Sequence, residues 1–165
     1  PTRRSADLGN LYHYAGNNPV KYTDPDGEKI VFGENSTEEQ IKAYNTAVSY
    51  LKNSTRAKEL IEKLEGDSKT ILWNPKSGLI VKNGLQSPAL GLAHEMGHAE
   101  QDILGSFYKD SDETECERDN LDRNEIVIAN QLNEPVRQDY YEDSVDFITV
   151  PNVNMSFKVQ KIEGN

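Results

Sequence analysis

Ser87-Pro88-Ala89-Leu90-Gly91-Leu92-Ala93-His94-Glu95-Met96-Gly97-His98-Ala99-Glu100-Gln101 is the stretch around which the rest of the chain is arranged. Ser87 suits a helix N-cap, and Pro88 suits the first helical position, where a missing N–H costs nothing. Ala89, Leu92, Ala93, Met96, Ala99 and Ile103 recur at helical spacing and predict a core-facing stripe. His94 and His98 are four apart, so they stand one turn apart on one face. Two imidazoles placed in this way can share one Zn²⁺, which favours a tetrahedral shell of nitrogen and oxygen donors. Glu95 lies beside that face, placed to act on a metal-bound water rather than to bind the metal. The whole chain holds 3 His and 16 Glu. A shuffled chain of this composition would contain H-E-x-x-H with a frequency of roughly 0.005, so chance explains it poorly. The alternative is a core helix whose histidines only satisfy hydrogen bonds.

The composition narrows the field. A chain of 165 residues suits one domain with a small appendage. Hydrophobic residues make up 35% and mean hydropathy is −0.76, so the core is modest. A formal net charge of −10 argues against nucleic acid, because phosphate binding needs a basic footprint. It leaves room for a basic substrate. Cys116 stands alone, so it forms no internal disulfide, and in an acidic run it reads as inert. No apolar run has the length of a membrane span. The chain begins with Pro1 and shows no signal-peptide pattern, so it reads as part of a longer protein.

Taken in order, residues 10–27 alternate aromatic and polar residues and end in turn chemistry, Asp24-Pro25-Asp26-Gly27. They predict a β-hairpin in which His13 is a strand residue and not a metal ligand. Lys29-Ile30-Val31-Phe32 is a short predicted strand. Ser36-Thr37-Glu38-Glu39 reads as a capping box. The helix after it carries Ile41, Tyr44, Ala47, Val48 and Leu51 on one face. A second helix, Thr55 to Leu64, carries Ala57, Leu60, Ile61 and Leu64 and stops at Gly66. Thr70-Ile71-Leu72-Trp73 and Leu79-Ile80-Val81 predict a hairpin beside the histidine helix. Its edge could hold an extended substrate by strand addition, or it could merely shield the core. The histidine helix is expected to run to Leu104 and stop at Gly105. Residues 109–119 are acidic and predict a solvated loop without calcium-loop spacing. Asn120 to Glu134 predicts a helix ended by Pro135. Phe147–Val150 and Ser156–Val159 could give short strands.

Two histidines do not complete a catalytic zinc site, which needs three protein ligands. The metzincin pattern wants a further His shortly after the motif, where this chain has Gln101 and Leu104. The third ligand should therefore be a carboxylate. Glu125 is the first choice, set 27 positions after His98 among apolar residues, where a buried charge needs a partner. Asp102 is the runner-up, or an acceptor that orients an imidazole. Glu115, Glu117 and Asp122 follow.

Two resemblances add to this reading. The run Asn10-Leu11-Tyr12-His13-Tyr14-Ala15-Gly16-Asn17-Asn18-Pro19-Val20-Lys21-Tyr22, with Asp24-Pro25-Asp26-Gly27 after it, resembles the end of the Rhs/YD-repeat core. In that family a β-shell precedes Asp-Pro-x-Gly, and the region after it is a C-terminal toxin released near the junction. The upstream Asp-Pro-x-Gly of the family is matched here by Thr2-Arg3-Arg4-Ser5, a departure. The resemblance implies an Rhs-core hairpin over 1–28 and a toxin domain over 29–165. The second set of residues is Trp73-Asn74-Pro75, Ser87-Pro88 and Leu92-Ala93-His94-Glu95-Met96-Gly97-His98-Ala99. It is similar to the NleD-type effector zinc peptidases. Their downstream Glu and Gly-Glu-x-x-Arg-like element are matched by Glu125 and by Asn133-Glu134-Pro135-Val136-Arg137, with Tyr140 after them. Asn133 replaces the glycine. The resemblance implies Glu125 as ligand and places Arg137 or Tyr140 near the active site, where either could stabilise an oxyanion.

The sequence therefore predicts an α+β, zincin-like, gluzincin-type metallopeptidase. A zinc helix would lie beside a small sheet or hairpin, with an N-terminal remnant of the Rhs core. Zn²⁺ on His94, His98 and Glu125, with Glu95 as general base, would cleave a protein substrate. Such a toxin would be secreted or delivered, act inside a target cell and have a cognate immunity protein, with no nucleic acid and no membrane span involved. Two competitors remain, a non-catalytic binding module of a secreted Rhs-type protein and a zinc hydrolase of another substrate.

Overall fold

The computed structural model describes residues 37–65, 71–105, 113–138 and 144–159. The expected Rhs-type hairpin, the boundary at residue 28, His13 and Tyr140 lie outside them. The described residues form an α+β fold, as the alternation of helical and strand patterns predicts.

Helix α1 (Glu38–Leu51) buries Tyr44, Ala47 and Leu51. Its capping box is Thr37–Gln40, one residue later than Ser36–Glu39. Gln40 Oε1 accepts the Thr37 N–H at 2.9 Å, and Thr37 Oγ1 accepts the Gln40 N–H at 3.2 Å. Helix α2 (Thr55–Leu64) is capped by Ser54 and buries the four apolar residues of its predicted stripe. Both pack against α3 (Pro88–Ile103), the histidine helix. Ser87 caps α3 by accepting the Leu90 N–H at 3.1 Å, and Gly105 follows its end with φ of 65°. Every residue of α3 from Pro88 to Gln101 is buried. The expected stripe is thus only part of the packing, because neighbours surround this helix and it has no solvent face over that length.

Strands β1 (Ser77–Val81), β2 (Gly84–Gln86), β3 (Ser144–Thr149) and β4 (Phe157–Lys158) form an antiparallel sheet in the order β3-β1-β2-β4. Here the expected hairpin is corrected. Ile71 to Asn74 join no ladder. Trp73 is instead buried against the start of α3, its indole N–H donating to the Pro88 carbonyl at 2.6 Å. An apolar run of this length reads equally as a strand or as buried coil, and the indole found its acceptor on a helix. The hairpin partner of β1 is β2, across the turn Lys82–Asn83, and β3 pairs along its other side. Gly84 has φ of 148°, and a Cβ there would lie 2.0 Å from the Phe157 carbonyl oxygen, so glycine lets β4 close onto β2. Strand β1 is flanked on both sides and cannot add a substrate strand. Among the described residues the open edges belong to β3 and β4.

Over its described part, residues 113–119, the expected acidic loop is likewise corrected. Glu113–Asn120 form helix α4, which runs straight into a π-helical turn, Leu121–Glu125, and then α5 (Ile126–Gln131). The helix ends before Pro135 because Asn133 takes φ of 57°. That left-handed conformation suits Gly or Asn and strains a branched residue. Asn133→Gly is expected to leave stability unchanged or higher, and Asn133→Val to lower it by about 1–2 kcal/mol in urea unfolding.

Candidate active site

The histidines need a third donor, and α4 supplies one. His94 Nε2 and His98 Nε2 lie 3.0 Å apart. Glu117 Oε2 stands 3.4 Å from the first and 3.3 Å from the second. Among the described residues these three donors converge closely enough to hold one metal ion. The Glu117 Oε2 atom is buried and has no hydrogen-bond partner among the described residues. A buried carboxylate oxygen without a donor is costly unless a cation faces it.

Glu125, the first-choice ligand, sits elsewhere on the same ring. Its Oε2 is 2.9 Å from His94 Nδ1, the nitrogen away from His98. Its Oε1 accepts from Gln86 Nε2 at 3.0 Å. Arg137 is fully enclosed and forks onto both Glu125 oxygens, Nε reaching Oε1 at 3.1 Å and NH2 reaching Oε2. So Arg137, expected beside an oxyanion, is turned to this carboxylate. Asp102 is half-buried and lies outside the donor cluster, and Glu115 and Asp122 are exposed.

The π turn explains how two carboxylates reach one ring. In a straight α-helix, residues eight apart diverge by about 80°. A π turn takes up one extra residue. Glu117 and Glu125 then behave as if seven apart, nearly on one face. The turn is held where it meets α3. A Cβ on Gly97 would lie 1.8 Å from Asn120 Oδ1 and 2.6 Å from Asn124 Nδ2. Asn120 Nδ2 donates to the His94 carbonyl at 2.8 Å, Asn124 Nδ2 to Asn120 Oδ1 at 2.8 Å, and Arg56 Nε to Asn124 Oδ1 at 2.9 Å. Gly97→Ala should therefore lower stability by about 1–3 kcal/mol and weaken metal binding together, read by a thermal melt and a metal titration.

The segment after Asn133 acts as a strap. Glu134, fully buried, accepts from Ser87 N at 2.7 Å, Ser87 Oγ at 2.6 Å and Tyr50 Oη at 2.8 Å. Gln86 Nε2 also donates to the Pro135 carbonyl at 3.1 Å. The start of α3, strand β2 and Glu125 are thereby fixed by three residues of one short segment, Glu134, Pro135 and Arg137.

Electrostatics follow from burial and from three acids. Burial opposes charge on His94, but the carboxylates of Glu117 and Glu125 outweigh it and raise its pKa to about 9. Burial pushes Glu117 up, yet the two histidines outweigh it and bring it down to about 2. Glu125 is brought to about 2 in the same way, burial losing to Arg137 and His94. Glu95 goes the other way. Its burial pushes the carboxyl up, against the pull of the histidines. The pocket thus concentrates negative charge around two imidazoles, a setting that favours a cation.

Residues 9–143 match the family model Peptidase_M91, described as effector protein. The chain belongs to this NleD-like family of effector peptidases. No curated protein and no solved structure matches it significantly. In this effector peptidase the family match begins at residue 9, inside the stretch that resembles the Rhs core. The departure at Asn133 is explained by its positive φ, which asparagine tolerates best after glycine. Among the described residues no helix is long and apolar enough to cross a membrane. Sequence reasoning ranked Glu117 low and gave Gln86, Asn120 and Glu134 no role. Their partners on other elements lie 19 to 84 positions away, so no local spacing signals them.

Proposed function

We propose that the chain is a zinc-dependent endopeptidase that acts as a delivered effector, with His94, His98 and Glu117 as metal ligands. One observation carries this. The lone buried Glu117 oxygen stands 3.3–3.4 Å from two Nε2 atoms. Ligands about 2.0–2.1 Å from a tetrahedral Zn²⁺ are about 3.3–3.4 Å apart, so the donor set fits that ion. When bound, zinc would supply a Lewis acid that polarises a carbonyl and acidifies water.

The chain's own residues have distinct tasks in this reading. Glu95 takes a proton from the attacking water and returns it to the leaving amine nitrogen. Glu125 accepts the His94 Nδ1–H and so presents Nε2 to the site. Arg137 and Gln86 hold Glu125 in place. That revises the expected ligand Glu125 and the expected catalytic role of Arg137 into positioning roles. Tyr140 remains a candidate oxyanion donor on the family resemblance alone.

The Asn10–Gly27 run supports delivery as the C-terminal toxin of an Rhs-type protein, with the toxin domain from residue 29, a protein substrate in the target cell and a cognate immunity protein. The test is proteomic. Target-cell lysate treated with the zinc-loaded chain should gain new peptide termini. Stripping the metal with a chelator should abolish them, and zinc should restore them. A metal-free chain that cleaves equally well would overturn the reading.

A further inference from the structure

We infer that Gln101 is a positioning residue of the metal centre, one that fixes the tautomer of His98 and ties its ring to the helix carrying Glu117. The inference rests on the metal reading above and extends it to a residue outside the donor set. Gln101 lies almost fully buried, one turn beyond His98 on α3. Its Nε2 is 2.9 Å from the Cys116 carbonyl oxygen and 3.0 Å from Asp119 Oδ2. A backbone carbonyl can only accept a hydrogen bond, so the amide must turn its NH2 that way. Its Oε1 therefore faces His98 Nδ1, at 3.0 Å. The amide oxygen can only accept as well, so Nδ1 must carry the ring proton, and Nε2 keeps its lone pair on the side of His94 and Glu117.

The hydrogen-bond chain ends on a backbone carbonyl, which cannot change its role. Orientation thus passes from the Cys116 carbonyl through the Gln101 amide to the His98 ring. Cys116 precedes Glu117, so the same amide links two ligands on different helices. The two histidines are supported differently. His94 has a carboxylate behind it, Glu125, whereas His98 has a neutral amide. With Glu95, Glu117 and Glu125 already close by, an uncharged partner orients the ring without adding a further negative charge.

The test uses the full chain. Zinc affinity is measured by chelator competition for wild type, Gln101→Met and Gln101→Glu. The His98 Nδ1–H proton is followed by NMR in the zinc-loaded proteins. Gln101→Met has similar length and no acceptor. It should weaken zinc binding by about 10- to 100-fold and lose the slowly exchanging His98 proton while keeping that of His94. Gln101→Glu retains an acceptor toward Nδ1 and should keep the proton, but its second oxygen would face the Cys116 carbonyl and Asp119 Oδ2 without a proton to donate, so zinc affinity should fall, though by less than in Gln101→Met. It carries the test alone if Gln101→Met does not fold. Unchanged zinc affinity in Gln101→Met would overturn the inference. So would equal losses in both variants, which would indicate packing rather than orientation. A wild-type chain that binds no zinc would overturn the metal reading itself, and the inference with it.

Discussion

Glu117→Gln is expected to lose zinc under conditions where the wild-type chain keeps about one equivalent, while Glu125→Gln keeps it with weakened affinity. The two carboxylates face different nitrogens of His94. Glu117 is on the Nε2 side with His98, and Glu125 is on the Nδ1 side. Taking away a ligand leaves two protein donors where a catalytic zinc needs three. Taking away the charge behind a ligand costs about 10- to 100-fold in affinity. Glutamine is preferable to alanine at 125. Alanine would strand the buried Arg137 guanidinium without its carboxylate, and breaking such a buried pair costs about 3–5 kcal/mol. Zinc content by plasma mass spectrometry and chelator competition decide the matter. Zinc lost from Glu125→Gln and retained in Glu117→Gln would return the third-ligand role to Glu125, as the family resemblance implies.

The contrast between these two residues also marks what the sequence could tell. His94, Glu95 and His98 were legible because a helix fixes their relative places over five residues, and Ser87 and Pro88 announce where it starts. The stripe of α2 was legible for the same reason. Glu117 was visible only as one acid in an acidic run. Its value depends on a π turn, on the notch that Gly97 leaves for Asn120, and on packing between segments some twenty residues apart. None of these has a local signature. Glu125 and Arg137 were both singled out, but their roles required knowing which face of an imidazole they meet. The hairpin was misplaced because Ile71–Trp73 is apolar and β-prone, while β1 found its partner across the short Lys82–Asn83 turn. The Asn83-Gly84 dipeptide after Val81 was the available sign.

Glu95→Gln is expected to lower kcat by about 10²- to 10⁴-fold, roughly 3–5 kcal/mol in barrier height. Glutamine keeps the size and the acceptor oxygen of the side chain and loses only the ability to carry a proton to and fro. Glu95 is 5% exposed and is not in the donor cluster, so zinc content should stay at the wild-type level. Burial pushes its carboxyl up and the two histidines pull against that, which brings the group closer to the working range of a base than a free glutamate. Removing a charge from so acidic a pocket should not lower the thermal midpoint of the metal-free protein, whereas a change that merely unravelled α3 would lower it. The informative combination is therefore intact zinc, an intact melt and lost cleavage. Cleavage at the wild-type rate with zinc in place would mean that the proton moves through another group, and Glu95 would then be only a buried acid whose charge helps to hold the cation.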